Sequence, residues 1–263
     1  MSRTRLDTLL VERGLYRSRT SAAAAVMAGD VRLGDAGERA AKPGQLVEPN
    51  AALEVAEPPP FVSRGGRKLA NALDALGVDP TGRLCLDVGA STGGFTDCLL
   101  ERSAAAVTAL DVAYGELHWR LRNDPRVTVV ERLNARNLEP DALPHRPELI
   151  VVDVAFISLA KVLPAVLRCA AGAFECVALV KPQFEVGRER VGKGGVVRGA
   201  DDRRAALLAV GHSARELGYA VLGYVGSGLP GPAGNRESFV WIGPPGDSRD
   251  VPDLEAAARS AEP

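Results

Sequence analysis

Leu84-Cys85-Leu86-Asp87-Val88-Gly89-Ala90-Ser91-Thr92-Gly93-Gly94-Phe95 is an apolar run that breaks into small residues and glycines and then resumes. It reads as a buried strand, a tight turn and the opening of a helix. Glycines at such a turn let the backbone approach a ligand closely. A second apolar run ends at Asp111, roughly twenty residues on, where an acid can hydrogen-bond a ribose diol. The turn is Gly89-x-Ser91-x-Gly93-Gly94, with serine at a usual glycine position. Turn and acid together fit a dinucleotide or S-adenosylmethionine; a tight turn with no ligand is the plainer alternative. Asp87 favours S-adenosylmethionine, because it stands where such enzymes place a carboxylate near the amino-acid end of the cofactor.

Outward from this unit, strand-like and helical patterns alternate. Strands are expected at Leu84–Val88, Val107–Val112, Val127–Glu131, Leu149–Asp153, Cys176–Val180, Ala220–Val225 and Ser238–Ile242. Helices are expected near Gly94–Glu101, Leu117–Arg122, Leu159–Cys169 and Asp202–Leu217. Such alternation predicts an α/β fold, a doubly wound and mostly parallel Rossmann-like sheet.

Lysine is scarce: 32 residues are basic, yet only Lys42, Lys68, Lys161, Lys181 and Lys193 are lysine. Lys181 closes the run Cys176–Val180, and Asp153 closes Leu149–Val152. Open α/β sheets build their sites at the carboxyl ends of strands. Arginine stays charged, whereas a lysine can be tuned into a general base. A structural ion pair explains the same two residues equally well.

The 263 residues are 46% hydrophobic with a net charge of −1, enough for a sizeable core and no announcement of a nucleic-acid binder. Charge is uneven, however: residues 1–32 carry six arginines against three acids. No apolar run is long enough for a membrane span, and the N-terminus has no apolar signal region, which predicts a cytoplasmic chain. Four cysteines without a CxxC pair read as reduced and buried, and three scattered histidines give no metal site.

Glu57-Pro58-Pro59-Pro60 is a stiff break that divides the chain. Before it, Leu6, Leu9 and Leu10 give one helical face, Ser18 can cap a second helix ending at Gly29, and Val31-Arg32-Leu33 alternates as a strand. This pattern resembles the S4 domain, a small α+β RNA-binding module. The resemblance implies an RNA face of Arg3, Arg5, Arg17 and Arg19, with a solvated helical face as the alternative.

Ser63-Arg64-Gly65-Gly66-Arg67-Lys68-Leu69, the turn above, Asp111-Val112-x-Tyr114-Gly115, Val152-Asp153-Val154-x-Phe156-Ile157-Ser158, Lys181-Pro182-Gln183-Phe184-Glu185 and Gly231-Pro232-Ala233-Gly234-Asn235-x-Glu237 occur together. Together they resemble the TlyA family, which joins an S4 domain to an FtsJ-like methyltransferase. The resulting organisation is an S4 domain at 1–57, a linker at 58–67, a methyltransferase domain at 68–245 and a disordered tail at 246–263. The resemblance implies S-adenosylmethionine-dependent 2′-O-methylation of cytidine in ribosomal RNA, on the small subunit and in many members also the large one. It implies a catalytic tetrad of Lys68, Asp153, Lys181 and Glu237 and a cofactor loop over Gly89 to Phe95. Where better-known members carry Arg-x-Trp-Val before Ser-Arg-Gly, this chain has Pro59-Pro60-Phe61-Val62. Any signalling through that segment is open. Some relatives are labelled haemolysins, which this chain, without a membrane span, gives little reason to follow. A non-catalytic ribosome-assembly factor is the main alternative.

A ribose hydroxyl is a poor nucleophile, so proton removal and in-line geometry are the tasks left to the protein. Lys181 is assigned as general base, with Asp153 holding it and Glu237 orienting Lys68 or the ribose. In a competing account the tetrad only positions the hydroxyl and water takes the proton. Arg64, Arg67, Arg132 and Arg136 are candidate phosphate contacts. Asn134 is a candidate for the adenine edge, and Phe156 for stacking on an extruded base, with core packing the alternative for Phe156. Lys193 among glycines reads as a mobile loop, and Trp119 and Trp241 as packing residues.

Overall fold

The computed structural model describes residues 3–16, 18–34, 37–55 and 60–262, and the chain forms two compact units, residues 1–59 and 60–263.

In the first unit, β1 (Thr4–Arg5) pairs with β4 (Leu46–Val47), and β2 (Val31–Leu33) lies between β3 (Glu38–Arg39) and β5 (Leu53–Val55). Helices α1 (Leu6–Glu12) and α2 (Arg19–Ala28) pack with the strands around Leu6, Leu10, Ala22, Val26 and Val31. Ser18 caps α2 by accepting from Ser21 N at 3.2 Å. Gly29 ends it at φ 88°, a conformation that glycine takes without penalty. Asp7 is buried on α1, and Arg5 grips it with bonds of 3.0 and 2.7 Å. The Arg5 guanidinium beside Asp7 holds its carboxyl down at about 2, against the opposing pull of burial.

The second unit carries α3 (Arg64–Leu76), β6 (Leu84–Val88), α4 (Gly94–Glu101), β7 (Ala106–Leu110), α5 (Trp119–Arg122), β8 (Val127–Val130), β9 (Leu149–Val152), α6 (Leu163–Arg168), β10 (Glu175–Val180), α7 (Pro182–Glu185), α8 (Ala200–Glu216), β11 (Ala220–Gly226), β12 (Ser238–Gly243) and α9 (Leu254–Ala261). Its seven strands run in the order β11-β12-β10-β9-β6-β7-β8. The ladder from β10 to β8 is parallel, and β12 is antiparallel to both its neighbours. The alternating Cβ directions of each strand sort the core into two layers. Leu86, Ile150, Val152, Ala178 and Val240 face α6, α8 and α9. Cys85, Leu149, Val151, Val177 and Phe239 face α3, α4 and α5. Strands apolar on both faces are what a doubly covered parallel sheet requires. Truncating a fully buried residue such as Ile150 to alanine costs about 2–5 kcal/mol.

Two expectations about boundaries need correction. Helix α3 begins at Arg64, so the end of the expected linker, Arg64 to Arg67, is helical. The expected disordered tail instead holds α9, on which Leu254 and Ala258 are buried. Asp253 caps that helix by accepting from Glu255 N and Ala256 N. Glu262 anchors its end to buried Arg203 on α8 at 2.6 Å. The acidic, alanine-rich composition hid a short stripe, Leu254 and Ala258, at helical spacing.

Candidate active site

Four charged residues reach the same end of the sheet by different routes. Asp153 directly follows β9 and Lys181 directly follows β10, so two adjacent parallel strands deliver them side by side. Glu237 directly precedes β12; because that strand runs antiparallel, its beginning lies where the parallel strands end, with Ser238 opposite Val180. Lys68 comes from the buried face of α3, with Leu69, Ala72 and Leu73. All four line one cavity of about 320 Å³ together with Arg64, Gly89, Ala90, Ser91, Thr92, Gly94 and Phe95.

The four form two ion pairs of different character. Lys68 Nζ donates to Glu237 Oε2 at 2.5 Å, and both residues are buried. Lys181 Nζ stands 2.5 Å from Asp153 Oδ1, but that oxygen receives no hydrogen bond of acceptable direction. This pair is also the more open, its side chains 15% and 25% exposed. The inner pair is sealed from solvent, and the outer pair is the one an incoming group can reach.

The turn after β6 is shaped by what surrounds it. Gly89 has φ 84°, and a Cβ there would lie 2.4 Å from the Asp153 carbonyl oxygen. The turn is thus pressed against the strand that carries the acid. Gly93 has φ 97° and would strike Leu121 at 2.3 Å; it faces α5 and does not line the cavity. Ser91 takes the left-handed conformation at φ 47°, and its N–H donates to Asp111 Oδ2 at 2.8 Å. Asp111 Oδ1 accepts from Ala113 N at 2.8 Å. Each carboxylate oxygen has a second lone pair, so Asp111 can hold the turn and still receive a hydroxyl.

A second, larger cavity of about 980 Å³ shares Gly89, Ser91, Asp153 and Ala155 with the first. Asp111, Asn134, Arg136 and Phe156 line it, as do Lys161 and Arg188, to which sequence reading gave no role. Asn134 Oδ1 accepts from Arg136 N at 3.1 Å. Phe156 is 92% exposed at φ 63°, its ring 5.4 Å from that of Phe184. Core packing is therefore excluded for Phe156. Glu185, also without an assigned role, accepts from Ser158 Oγ at 2.7 Å and Leu159 N at 2.9 Å, fixing the chain just beyond Phe156. Burial pushes its carboxyl above the usual range.

Other expected residues fall elsewhere. Asp87 is fully buried and lines neither cavity, which corrects its reading as a cofactor contact. It accepts from Thr96 Oγ1 at 2.7 Å, leaving Oδ1 unpartnered. Burial foremost pushes its carboxyl up to about 7. Folded Asp87 therefore keeps its proton where the unfolded chain has lost it. Its stabilising contribution is full below the ordinary carboxyl range and declines as pH rises from about 4 to 7. Asp87→Asn should remove that slope, so the stability difference from the parent changes across this range and levels off above it. Urea unfolding of the full chain, followed by tryptophan fluorescence at several pH values, measures this. A constant difference would mean that Asp87 titrates as an exposed acid does.

Arg67 is exposed on α3, and Arg132 lies over the Tyr114 ring at 4.3 Å. In the first unit, Arg3 pairs with Glu48, while Arg5 and Arg19 share Asp7. Arg17 lies outside the described residues. Trp119 is 71% exposed, against its expected packing role. The loop at Lys193, expected to be mobile, is closed by a Gly192–Val196 bridge and held by buried Asn235, which bonds Val197 N and Gly195 O.

Residues 61–244 match the FtsJ-like methyltransferase family. A Mycobacterium tuberculosis protein named 16S/23S rRNA (cytidine-2′-O)-methyltransferase TlyA is 52% identical, over 91% of this chain and 90% of its own. The chain belongs to the TlyA family of FtsJ-like methyltransferases. A second TlyA relative, the 23S rRNA (cytidine-2′-O)-methyltransferase of Campylobacter jejuni, is 35% identical over 69% of this chain and 70% of its own. The solved structure of a hemolysin-named protein from Streptococcus thermophilus superposes with a TM-score of 0.73 at 37% identity, covering 99% of this chain and 96% of that one. The cleft has the size and the polar groups of a small-molecule site. Its two joined cavities lie in the ~300–1,000 Å³ range of small-molecule sites, and a turn pressed flat by Gly89 adjoins a carboxylate with lone pairs to spare.

The carboxylate supports a direct expectation. Asp111→Ala removes the anchor of Ser91 and, if the carboxylate receives a ligand hydroxyl, that acceptor too, so affinity for S-adenosylmethionine is expected to fall by about 10- to 100-fold, the worth of a hydrogen bond to a charged group. Calorimetry on the two proteins decides it, and equal affinities would take Asp111 out of the site.

Proposed function

We propose that this chain is an S-adenosylmethionine-dependent methyltransferase of ribosomal RNA, acting on the 2′-hydroxyl of cytidine in small-subunit and also large-subunit RNA. The observation that carries this reading is the meeting of Lys68, Asp153, Lys181 and Glu237 in one cavity with the turn from Gly89 to Phe95. The cofactor supplies a methyl group already activated by a sulfonium. Gly89, Ala90, Ser91, Thr92 and Gly94 would form its cradle, with Asp111 on the ribose and Asn134 on the adenine edge. What remains for the protein is to seat the ribose hydroxyl and take its proton.

Lys181 is the proton acceptor in this scheme. It sits on the more open of the two ion pairs, beside Asp153, where a ribose hydroxyl can reach it. The buried Lys68–Glu237 pair holds the floor of the site and offers a fixed charge to the ribose. Phe156, exposed beside the cleft, is placed to stack on the base of a nucleotide turned out of its helix. Arg64, Arg67, Arg132 and Arg136 are the cations offered to phosphates: Arg64 and Arg67 are on α3, Arg136 lines the larger cavity and Arg132 lies over Tyr114.

The first unit serves as an S4 domain that anchors the RNA. Arg5 and Arg19 lean on Asp7 yet stay about half exposed, at 49% and 59%, so their orientation is fixed while the guanidinium edges stay available. A cytoplasmic site of action follows from a ribosomal substrate.

The test is transfer of labelled methyl from S-adenosylmethionine to intact ribosomal subunits and to naked RNA, with RNase digestion locating the label on cytidine ribose. Retained subunit binding without methyl transfer would instead favour a non-catalytic assembly factor. In the same assay Arg3→Ala/Arg19→Ala, which leaves Arg5 on Asp7, should weaken subunit binding and reduce the slope of log affinity against log salt by about one to two. An unchanged slope would remove these arginines from the RNA face.

A further inference from the structure

Asp97 is the one buried carboxylate of α4, 2% exposed, and the scheme above does not use it. Two segments meet on its carboxylate. Arg120 of α5 places Nη2 between its two oxygens, at 2.7 and 2.8 Å. Val62 N donates to Oδ2 at 2.8 Å. The helix that carries it opens directly on the glycine turn, its first backbone bond running from Asp97 N to Gly93 O at 2.8 Å.

Each segment reaches a wall of the cleft. Val62 leads directly into Ser63 and Arg64, both cavity-lining. Helix α5 backs the turn: His118 N donates to Thr92 O at 3.2 Å, and Leu117 and Leu121 fill the space beside Gly93 that any side chain there would need. Buried hydrogen-bonded charge of this kind is costly to leave incomplete, so it holds its partners to one geometry.

We propose that Asp97, with Arg120, is a positioning residue for cofactor binding: it clasps α5 against the outside of the glycine turn and draws the Val62–Arg64 segment to the same place. This rests on the reading of the cleft as an S-adenosylmethionine site. Asp97 lines neither cavity of the cleft and takes no part in the chemistry; its effect is on the shape of the turn before ligand arrives.

The test uses the full chain and S-adenosylhomocysteine as the probe. Asp97→Asn keeps an acceptor for Val62 N but gives up the charge that holds Arg120; Arg120→Gln gives up the other partner. Each single variant should bind the probe about tenfold more weakly by calorimetry, the scale of one charged hydrogen bond. The double variant should lose no more than the weaker of the two singles, since both act through one pair. Amide exchange at residues 118–123 should quicken in each variant while exchange in β9 and β10 stays as in the parent. In turnover, KM for S-adenosylmethionine should rise while kcat stays within about threefold.

Binding within twofold of the parent in either single variant would overturn the proposal. So would a loss that tracks faster exchange throughout the sheet, since Asp97 would then support the fold alone. A parent chain that fails to bind the probe would count against the cofactor reading itself and thereby be told apart from either result.

Discussion

Lys181→Arg should bind cofactor and ribosomal subunits nearly as the parent does and lose about 10²–10⁴-fold in single-turnover rate, the usual worth of a general base. Arginine keeps the charge and can keep the contact with Asp153, now 2.5 Å from the lysine nitrogen. It cannot supply a neutral nitrogen in a protein. Lys181→Ala should be inactive to a similar degree, because both variants lack the acceptor. If the lysine serves only to position the hydroxyl, arginine should do most of that work and alanine none. Single-turnover rates on intact subunits, with cofactor binding checked in each variant, separate the two. A Lys181→Arg enzyme within about threefold of the parent would exclude proton acceptance by this residue.

Glu237→Ala should destabilise the second unit by about 3–5 kcal/mol, since it leaves the Lys68 ammonium buried without its partner. The loss should be far smaller in Lys68→Met/Glu237→Leu, where both charges give way to apolar groups of similar size; such replacements of buried pairs are often neutral. The double variant should stay folded and yet be unable to methylate. Urea unfolding monitored by Trp119 and Trp241, both in the second unit, measures the stabilities. A Glu237→Ala loss below about 1 kcal/mol would show that Lys68 is relieved by water or by movement, and the inner pair would cease to be the fixed floor of the site.

The stretch from Leu84 to Phe95 disclosed its strand, turn and helix because each element is encoded locally. A short apolar run marks β6, and the glycines mark the turn. Asp153 and Lys181 were legible for the same reason, each closing a strand-like run. Glu237 was not legible from its surroundings; only the TlyA resemblance pointed to it. Its place depends on β12 entering antiparallel between β10 and β11, a long-range pairing that no local pattern records. The same limit applies to the Asp97–Arg120 pair, whose partners are 23 positions apart. Asp87 misled because an acid beside a cofactor turn has two directions to face. The pleat sends it inward to Thr96, away from the cavity. The last helix could have been found: Asp253 is a good cap, and Leu254 and Ala258 stand one turn apart. Composition outweighed those two signs.

The position of β12 also bears on how the enzyme is made. The last strand among the described residues is not added at an edge; it is threaded between two strands completed before it. Until it arrives, β10 and β11 have no ladder to join them, and Lys68 has no counter-ion. A ribosome that stops between the end of β11 and residue 237 therefore releases a chain that carries the glycine turn but has the sheet divided and the acid missing. Such fragments should be cleared as unfolded protein instead of lingering as weak competitors for cofactor. A nonsense mutation just before residue 237 would then be as complete a loss as one in β6.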